Sequence, residues 1–168
     1  MTTKTVTPAL AAVQTAGALF DAIKRRDVDS VLALDTDDAV GDVVAIGEFR
    51  GKTAIRRFLE EMFAAFPDLD LVVDHLFGDD SSAVVQWHAT ATFAGAPFQG
   101  IEPTGKRVTI RGVDVVDVVS GQIVRDTMYY DGASLARQIG MLPSSGSGAE
   151  KAVLSVFNTL TRVRQHRR

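Results

Sequence analysis

Apolar positions recur along this chain first with the period of a helix and then with the period of a strand. Leu10, Val13, Phe20 and Ile23 fall at roughly helical spacing and predict a first helix over residues 8–25. Arg26-Asp27 interrupts it, and Val28, Val31, Leu32 and Leu34 form a short second helix. An irregular or short extended stretch separates these from a third helix behind Gly51. There Ile55, Phe58, Leu59, Met62, Phe63 and Phe66 stand at i, i+3, i+4, i+7, i+8 and i+11, a broad stripe that needs an equally apolar surface against it, and Pro67 ends it.

Four extended segments follow, 69–77, 83–93, 108–119 and 122–130, rich in Val, Thr and aromatic residues. Helices before strands point to an α+β domain with an antiparallel sheet. The connection 94–107 carries Gly95, Pro97, Gly100, Pro103 and Gly105 and is long enough to rim a pocket. Asp131 is a good N-cap for a last body helix through Leu135 and Ile139, closed by Gly140 and Pro143. One domain over residues 1–143, a flexible Ser/Gly linker over 144–149 and an amphipathic basic tail helix over 150–168 complete the division. The tail stripe is Val153, Val156, Phe157, Leu160 and Val163. It suits packing on the body or a partner subunit, or contact with a membrane surface or an acidic protein.

The hairpin at Val119-Ser120-Gly121 decides which side chains share a face. A two-residue type I′ turn favours Asn-Gly or Asp-Gly, so a three-residue loop ending in a left-handed Gly121 is expected. That register sets Val118 opposite Gln122, Val116 opposite Val124, Asp114 opposite Asp126, Gly112 opposite Met128 and Ile110 opposite Tyr130. Asp114 and Asp126 then lie on the apolar face, toward the helices. If that face is dry, two adjacent carboxyls titrate as a unit and one keeps its proton near neutrality. Gln86, His88, Thr90 and Thr92 share one face of the second long strand, and His88 is a candidate proton shuttle.

Composition narrows the chemistry. With 168 residues and 46% hydrophobic content the chain can bury a substantial core, and its lack of cysteine removes disulfides and thiolate chemistry and suits the cytoplasm. The start of the chain offers no convincing signal peptide or membrane span. His75, His88 and His166 show no metal-ligand spacing. Net charge is −3, but Lys151, Arg162, Arg164, Arg167 and Arg168 against Glu150 give residues 144–168 a net +4 and leave the rest at −7. An acidic body argues against nucleic acid.

In their order and spacing, several segments resemble the SnoaL-like polyketide cyclases of the NTF2-like superfamily, which includes ketosteroid isomerase. They are Phe49-Arg50-Gly51-Lys52-Thr53-Ala54-Ile55, Phe66-Pro67-Asp68-Leu69, Pro103 to Val108, Gly121-Gln122-Ile123-Val124, Tyr130-Asp131 and Gln138-Ile139-Gly140. The resemblance, over about Val13 to Leu142, implies a cone of helices on a strongly curved sheet with a pocket between them, and a homodimer through the sheet's outer side. It implies Asp42 as a carboxylate base, from its distance to Gly51, and Asp114 in Val113-Asp114-Val115 as a neutral hydrogen-bond donor. Four positions depart from the pattern. Leu19 stands near where the isomerase has a tyrosine, Met128 aligns with the acid/base aspartate of the cyclases, and Thr90, His88 and Met128 replace the Asp-Arg-Asp set of limonene-epoxide hydrolases.

The resulting expectation is cofactor-independent and metal-free acid/base chemistry beside a carbonyl of a hydrophobic small molecule, by aldol cyclisation or isomerisation. Asp42, Asp114, Asp126 and His88 are the candidate catalytic residues, and Gln86, Thr90, Met128, Tyr130, Phe58 and Met62 the candidate substrate-binding ones. The alternative is a non-catalytic binding or assembly protein of the same fold.

Overall fold

The apolar spacing of the first thirty residues builds a two-helix cover. In a computed structural model that describes residues 11–165, apart from the side chains of Val163 and Arg164, α1 spans Ala11–Lys24 and α2 Val28–Leu34. Arg26 takes a positive φ of 58° to reverse the chain. Asp27 then caps α2 by accepting from the Ser30 N–H at 3.0 Å. Leu10, His166 and the end of the expected tail helix lie outside the described residues.

The stretch expected to be irregular or short extended is two strands, β1 (Asp35–Val43) and β2 (Gly47–Arg50). Four polar residues and a register shift between Asp35 and Val40 hide the two-residue period of β1. Helix α3 (Lys52–Ala65) follows, then β3 (Asp70–Gly78), β4 (Ser82–Thr92), β5 (Arg107–Val119) and β6 (Gln122–Tyr130). The sheet order is β2-β1-β6-β5-β4-β3. All neighbours run antiparallel except β1 and β6, which are parallel. The expected antiparallel sheet therefore contains one parallel pair, because β1 and β6 come from opposite ends of the body and lie side by side.

Helix α1 packs on β3, β4 and β5, and α3 packs on β1 and β2, so one face of the curved sheet is covered. The core between the layers includes Leu19, Phe20, Phe58, Leu59, Val85, Trp87 and Val116, all at most 7% exposed. Strand β5 runs beyond the end of β6, and α4 (Gly132–Ile139) occupies the freed place. There Gln138 accepts from the Thr109 N–H at 2.7 Å and donates to its carbonyl at 2.9 Å, standing in for the missing strand. Asp131 caps α4 through the Ser134 N–H at 2.9 Å.

The hairpin differs from expectation in two ways that cancel. Ser120 and Gly121, at φ 52° and 82°, form a two-residue turn with Val119 opposite Gln122. The better match to strand twist outweighs the cost of a left-handed serine, about 1–2 kcal/mol. A bulge then leaves Val124 unpaired between Val118↔Ile123 and Asp117↔Arg125. Beyond it the true register is displaced by two residues from the expected one: Asp114 faces Met128, Asp126 faces Val116, and Gly112 faces Tyr130. Because side chains alternate with period two, a displacement of two keeps every residue beyond the bulge on its expected face, whereas before it Ile123, paired with Val118, turns into the core in place of Gln122 and Val124.

Candidate active site

The inner face of β4, β5 and β6, closed over by α3 and the end of α4, encloses a cavity of about 100 Å³. Phe58 and Met62 reach it from α3, Met128 and Tyr130 from β6, Leu135 from α4, and Phe98 from the rim loop. Its wall is almost wholly hydrocarbon, and Asp114 is the carboxyl in it.

Asp114 is 0% exposed. Trp87, on the inner face of β4, donates its Nε1–H to Asp114 Oδ1 at 2.8 Å. Oδ2 has no hydrogen-bond partner among the described residues. Gly112 makes room for this arrangement. It lies opposite Trp87 across the β4–β5 ladder, and a Cβ there would stand 2.3 Å from Cζ2 of the indole. Burial pushes the Asp114 carboxyl up to about 7, the Trp87 hydrogen bond opposing the rise.

Two further carboxyls stand behind it. Asp126 is the diagonal neighbour of Asp114 on the same face, since their ladder partners Val116 and Met128 are two residues along each strand. Its Oδ1 lacks a partner among the described residues, and burial, then the charges of Asp114 and Asp35, drives its pKa well above the carboxylate range. Asp35, 4% exposed at the start of β1, is pushed up to about 6 by burial, offset in part by Lys52. Asp35 and Asp126 border a second chamber of about 60 Å³ that shares Met128 and Phe58 with the cavity. Burial thus favours the neutral form of Asp126, and Asp114, pushed up to about 7, can both give and accept a proton near neutrality.

Two of these residues escape the sequence reading. Asp35 falls in the stretch expected to be irregular or short extended, and only the β1–β6 pairing turns it inward. Trp87 alternates visibly with His88, but its bond to Asp114 depends on the β4–β5 register.

The other candidates divide by face. Phe58, Met62, Met128 and Tyr130 line the cavity, and burial raises the Tyr130 pKa. Asp42 does not reach it. The sites either side of it, Gly41 and Val43, point inward, a Cβ on Gly41 standing 3.6 Å from Ile55 and Val43 lining the cavity. Asp42 itself accepts from Arg125 Nη2 at 2.5 Å on the outer face, and the same guanidinium reaches Glu48 at 2.8 Å. His88 is also outside: it is opposite Arg111, and its Nδ1 lies 2.8 Å from Asp74 Oδ1. Gln86 is exposed on that face. Thr90 borders the cavity, but its hydroxyl accepts from Arg107 at 3.4 Å across the outer side of the ladder. The pleat that carries Trp87 inward carries His88, Gln86 and the Thr90 hydroxyl outward. No three His, Cys, Asp or Glu side chains among the described residues are grouped to hold a metal ion.

Similar folds are known. AclR from Streptomyces galilaeus is 24% identical, with a TM-score of 0.70 over 95% of this chain and 98% of its own. A SnoaL-like protein from Jannaschia sp. CCS1 is 23% identical, with a TM-score of 0.73 over 82% and 97%. An LEH-like epoxide hydrolase of M. tuberculosis is 19% identical, with a TM-score of 0.62 over 77% and 89%. At these identities the likeness is one of fold. No curated protein matches. The description SnoaL-like polyketide cyclase matches residues 13–139, most of the helical cover, the whole sheet and α4, and the chain belongs to that family.

Proposed function

We propose that this protein is an acid/base enzyme that moves a proton beside a carbonyl group of a hydrophobic small molecule, with Asp114 as the proton carrier. The observation that carries this reading is a fully buried carboxyl on an apolar wall, one oxygen held by Trp87 and the other without a partner among the described residues. A group titrating near the working pH is best suited to both halves of such a reaction. The cyclases' acid/base aspartate aligns with Met128, and Asp114 faces Met128 across the ladder. A carboxyl from the adjacent strand thus stands about 5 Å, Cα to Cα, from the family's position.

Ionised Asp114 takes a proton from the carbon next to the carbonyl, and the C–H electron pair becomes the enolate. In cyclisation the enolate carbon bonds to a second carbonyl carbon within the molecule, and the oxygen there receives the proton back from Asp114. In isomerisation the proton returns to a different carbon. Either way the carboxyl ends as it began, so one carrier suffices. Burial of Asp126 behind it favours the neutral form there and so lessens the charge that Asp114 meets when it ionises. The cavity, smaller than the ~150 Å³ that holds benzene in a dry protein interior, limits the buried part of a substrate to at most a single ring.

The test uses simple ketones. Wild-type protein with cyclohexanone in D₂O should speed exchange of the α-hydrogens, followed by proton NMR. Asp114→Asn should reduce that exchange by at least about 100-fold. Ketone binding with no exchange in the wild type would instead support the passive binding protein.

A further inference from the structure

Behind the cavity lies a row of carboxyls of which the proposed reaction uses only the first. Asp114 closes one end, its Oδ2 without a partner among the described residues. Asp126 follows as its diagonal neighbour, ~7–8 Å away between backbones, a gap that one water spans. Its buried Oδ1 is likewise without a partner among the described residues. Asp35 ends the row at 4% exposed, and its carboxyl accepts no hydrogen bond among the described residues. Buried polar oxygens left unsatisfied are costly, and in a space large enough they are normally bridged by water.

The second chamber supplies that space. Asp126 and Asp35 both border it, and its volume of about 60 Å³ takes about two waters at ~30 Å³ each. The room exists because the β1 partner of Asp126 is Gly41, which lines the chamber without a side chain to fill it. The chamber adjoins the cavity across Val43, Phe58 and Met128, which wall both. Its far end leads to solvent. The charge of Lys52 reaches Asp35, and Lys52 pairs at 3.1 Å with Asp37, whose side chain is 99% exposed. Burial, offset in part by Lys52, sets the Asp35 carboxyl at about 6, so it takes up and releases protons readily near neutrality. A ligand that fills the cavity covers the front of Asp114 with hydrocarbon and leaves this row as the way out for its proton.

We infer that Asp126, Asp35 and water held beside Gly41 form a path that exchanges the proton on Asp114 with solvent while the cavity is occupied. The path rests on the acid/base reading above. Asp114 passes its proton through water to Asp126, Asp126 gives its own to the chamber water, and that water gives one to Asp35; a solvent proton returns by the same steps. Each step breaks one O–H bond and makes another, and the carboxyls end unchanged. Turnover does not require the path, since one carrier closes the cycle. What the path sets is whether the hydrogen delivered to the product is the one taken from the substrate.

The test gives the full chain the β,γ-unsaturated isomer of cyclohexenone in D₂O, following the shift to the conjugated ketone by absorbance and the label at the new C–H bond by mass spectrometry. The wild type should deliver mostly deuterium. Asp35→Asn, of the same shape but unable to relay, should lower the ratio of deuterium to protium at least about tenfold, a ratio read per product formed and so independent of rate. Gly41→Ala keeps both carboxyls, meets only ordinary contact with Ile55 at 3.6 Å and takes up room used by water. It should leave turnover as it is and lower the ratio as well. An unchanged ratio in either variant, or a wild type that returns the substrate's own proton, would overturn the path alone. A wild type that shifts no double bond would overturn the acid/base reading and the path with it.

Discussion

Asp114 and Asp42 are chemically the same side chain, set two strands apart in one sheet, and they face opposite worlds. Asp114 points into hydrocarbon, has one indole N–H for company and is held near the neutral form. Asp42 points the other way and meets a guanidinium shared with Glu48. Glu48, beside the same Arg125, is held below the usual range by that hydrogen bond. A carboxyl becomes an acid or a fixed anion according to which side of the pleat it leaves and whether a cation waits there. Distance along the sequence from a helix start, which singles out Asp42, carries neither piece of information.

The largest effect that separates the two faces is on catalysis. Asp114→Asn should lower turnover of any accepted carbonyl substrate by about 10² to 10⁴-fold, measured as kcat. Asp42→Asn should leave kcat unchanged, and a loss there equal to that of Asp114→Asn would erase the distinction.

Next in size is the dependence of stability on pH. Asp35 and Asp114 bind protons more tightly folded, at about 6 and about 7, than unfolded at about 3.8. Folding therefore takes up protons between these limits, and the stabilisation present below pH ~4 is lost as pH rises. The slope is at most about 1.4 kcal/mol per pH unit for each group, flattening above about 7 for Asp114, with Asp126 extending the fall. Urea midpoints from pH 4 to 8 should show this decline, and Asp114→Asn should reduce it.

A smaller effect comes from the space beside the indole. Gly112→Ala places a methyl 2.3 Å from a rigid ring atom, so Trp87 must shift. A stability loss of about 1–3 kcal/mol is expected in urea unfolding, together with a lower Asp114 pKa as water gains access. On the outer face, His88→Gln removes only a half-exposed contact with Asp74 and should change neither kcat nor the midpoint measurably.

Most of the fold was legible because its signals are local. The α3 stripe, the Asp131 cap and the four long strands are written in adjacent residues. What stayed hidden depends on pairing across the chain. The parallel contact of β1 with β6 joins segments some 85 residues apart and leaves only a broken alternation in Asp35-Thr36-Asp37-Asp38. Which face each of these side chains takes was legible only in part, for an instructive reason. Asp114 and Asp126 were placed on the inner face although turn length and bulge were both misjudged, because two single-residue errors restore a two-residue period. Gln86, His88 and Thr90 were assigned to the pocket by their polarity, whereas the smaller apolar residues between them, with Trp87, form its wall.

The central claim is that Asp114 holds its proton close to neutral pH. Carbon-13 NMR of aspartate carboxyls, titrated from pH 4 to 9 in the wild type and in Asp114→Asn, tests it most directly. A resonance titrating near pH 7 that vanishes in the variant is expected. Aspartates that all titrate below pH 5, or a set of near-neutral resonances from which the substitution removes none, would contradict it.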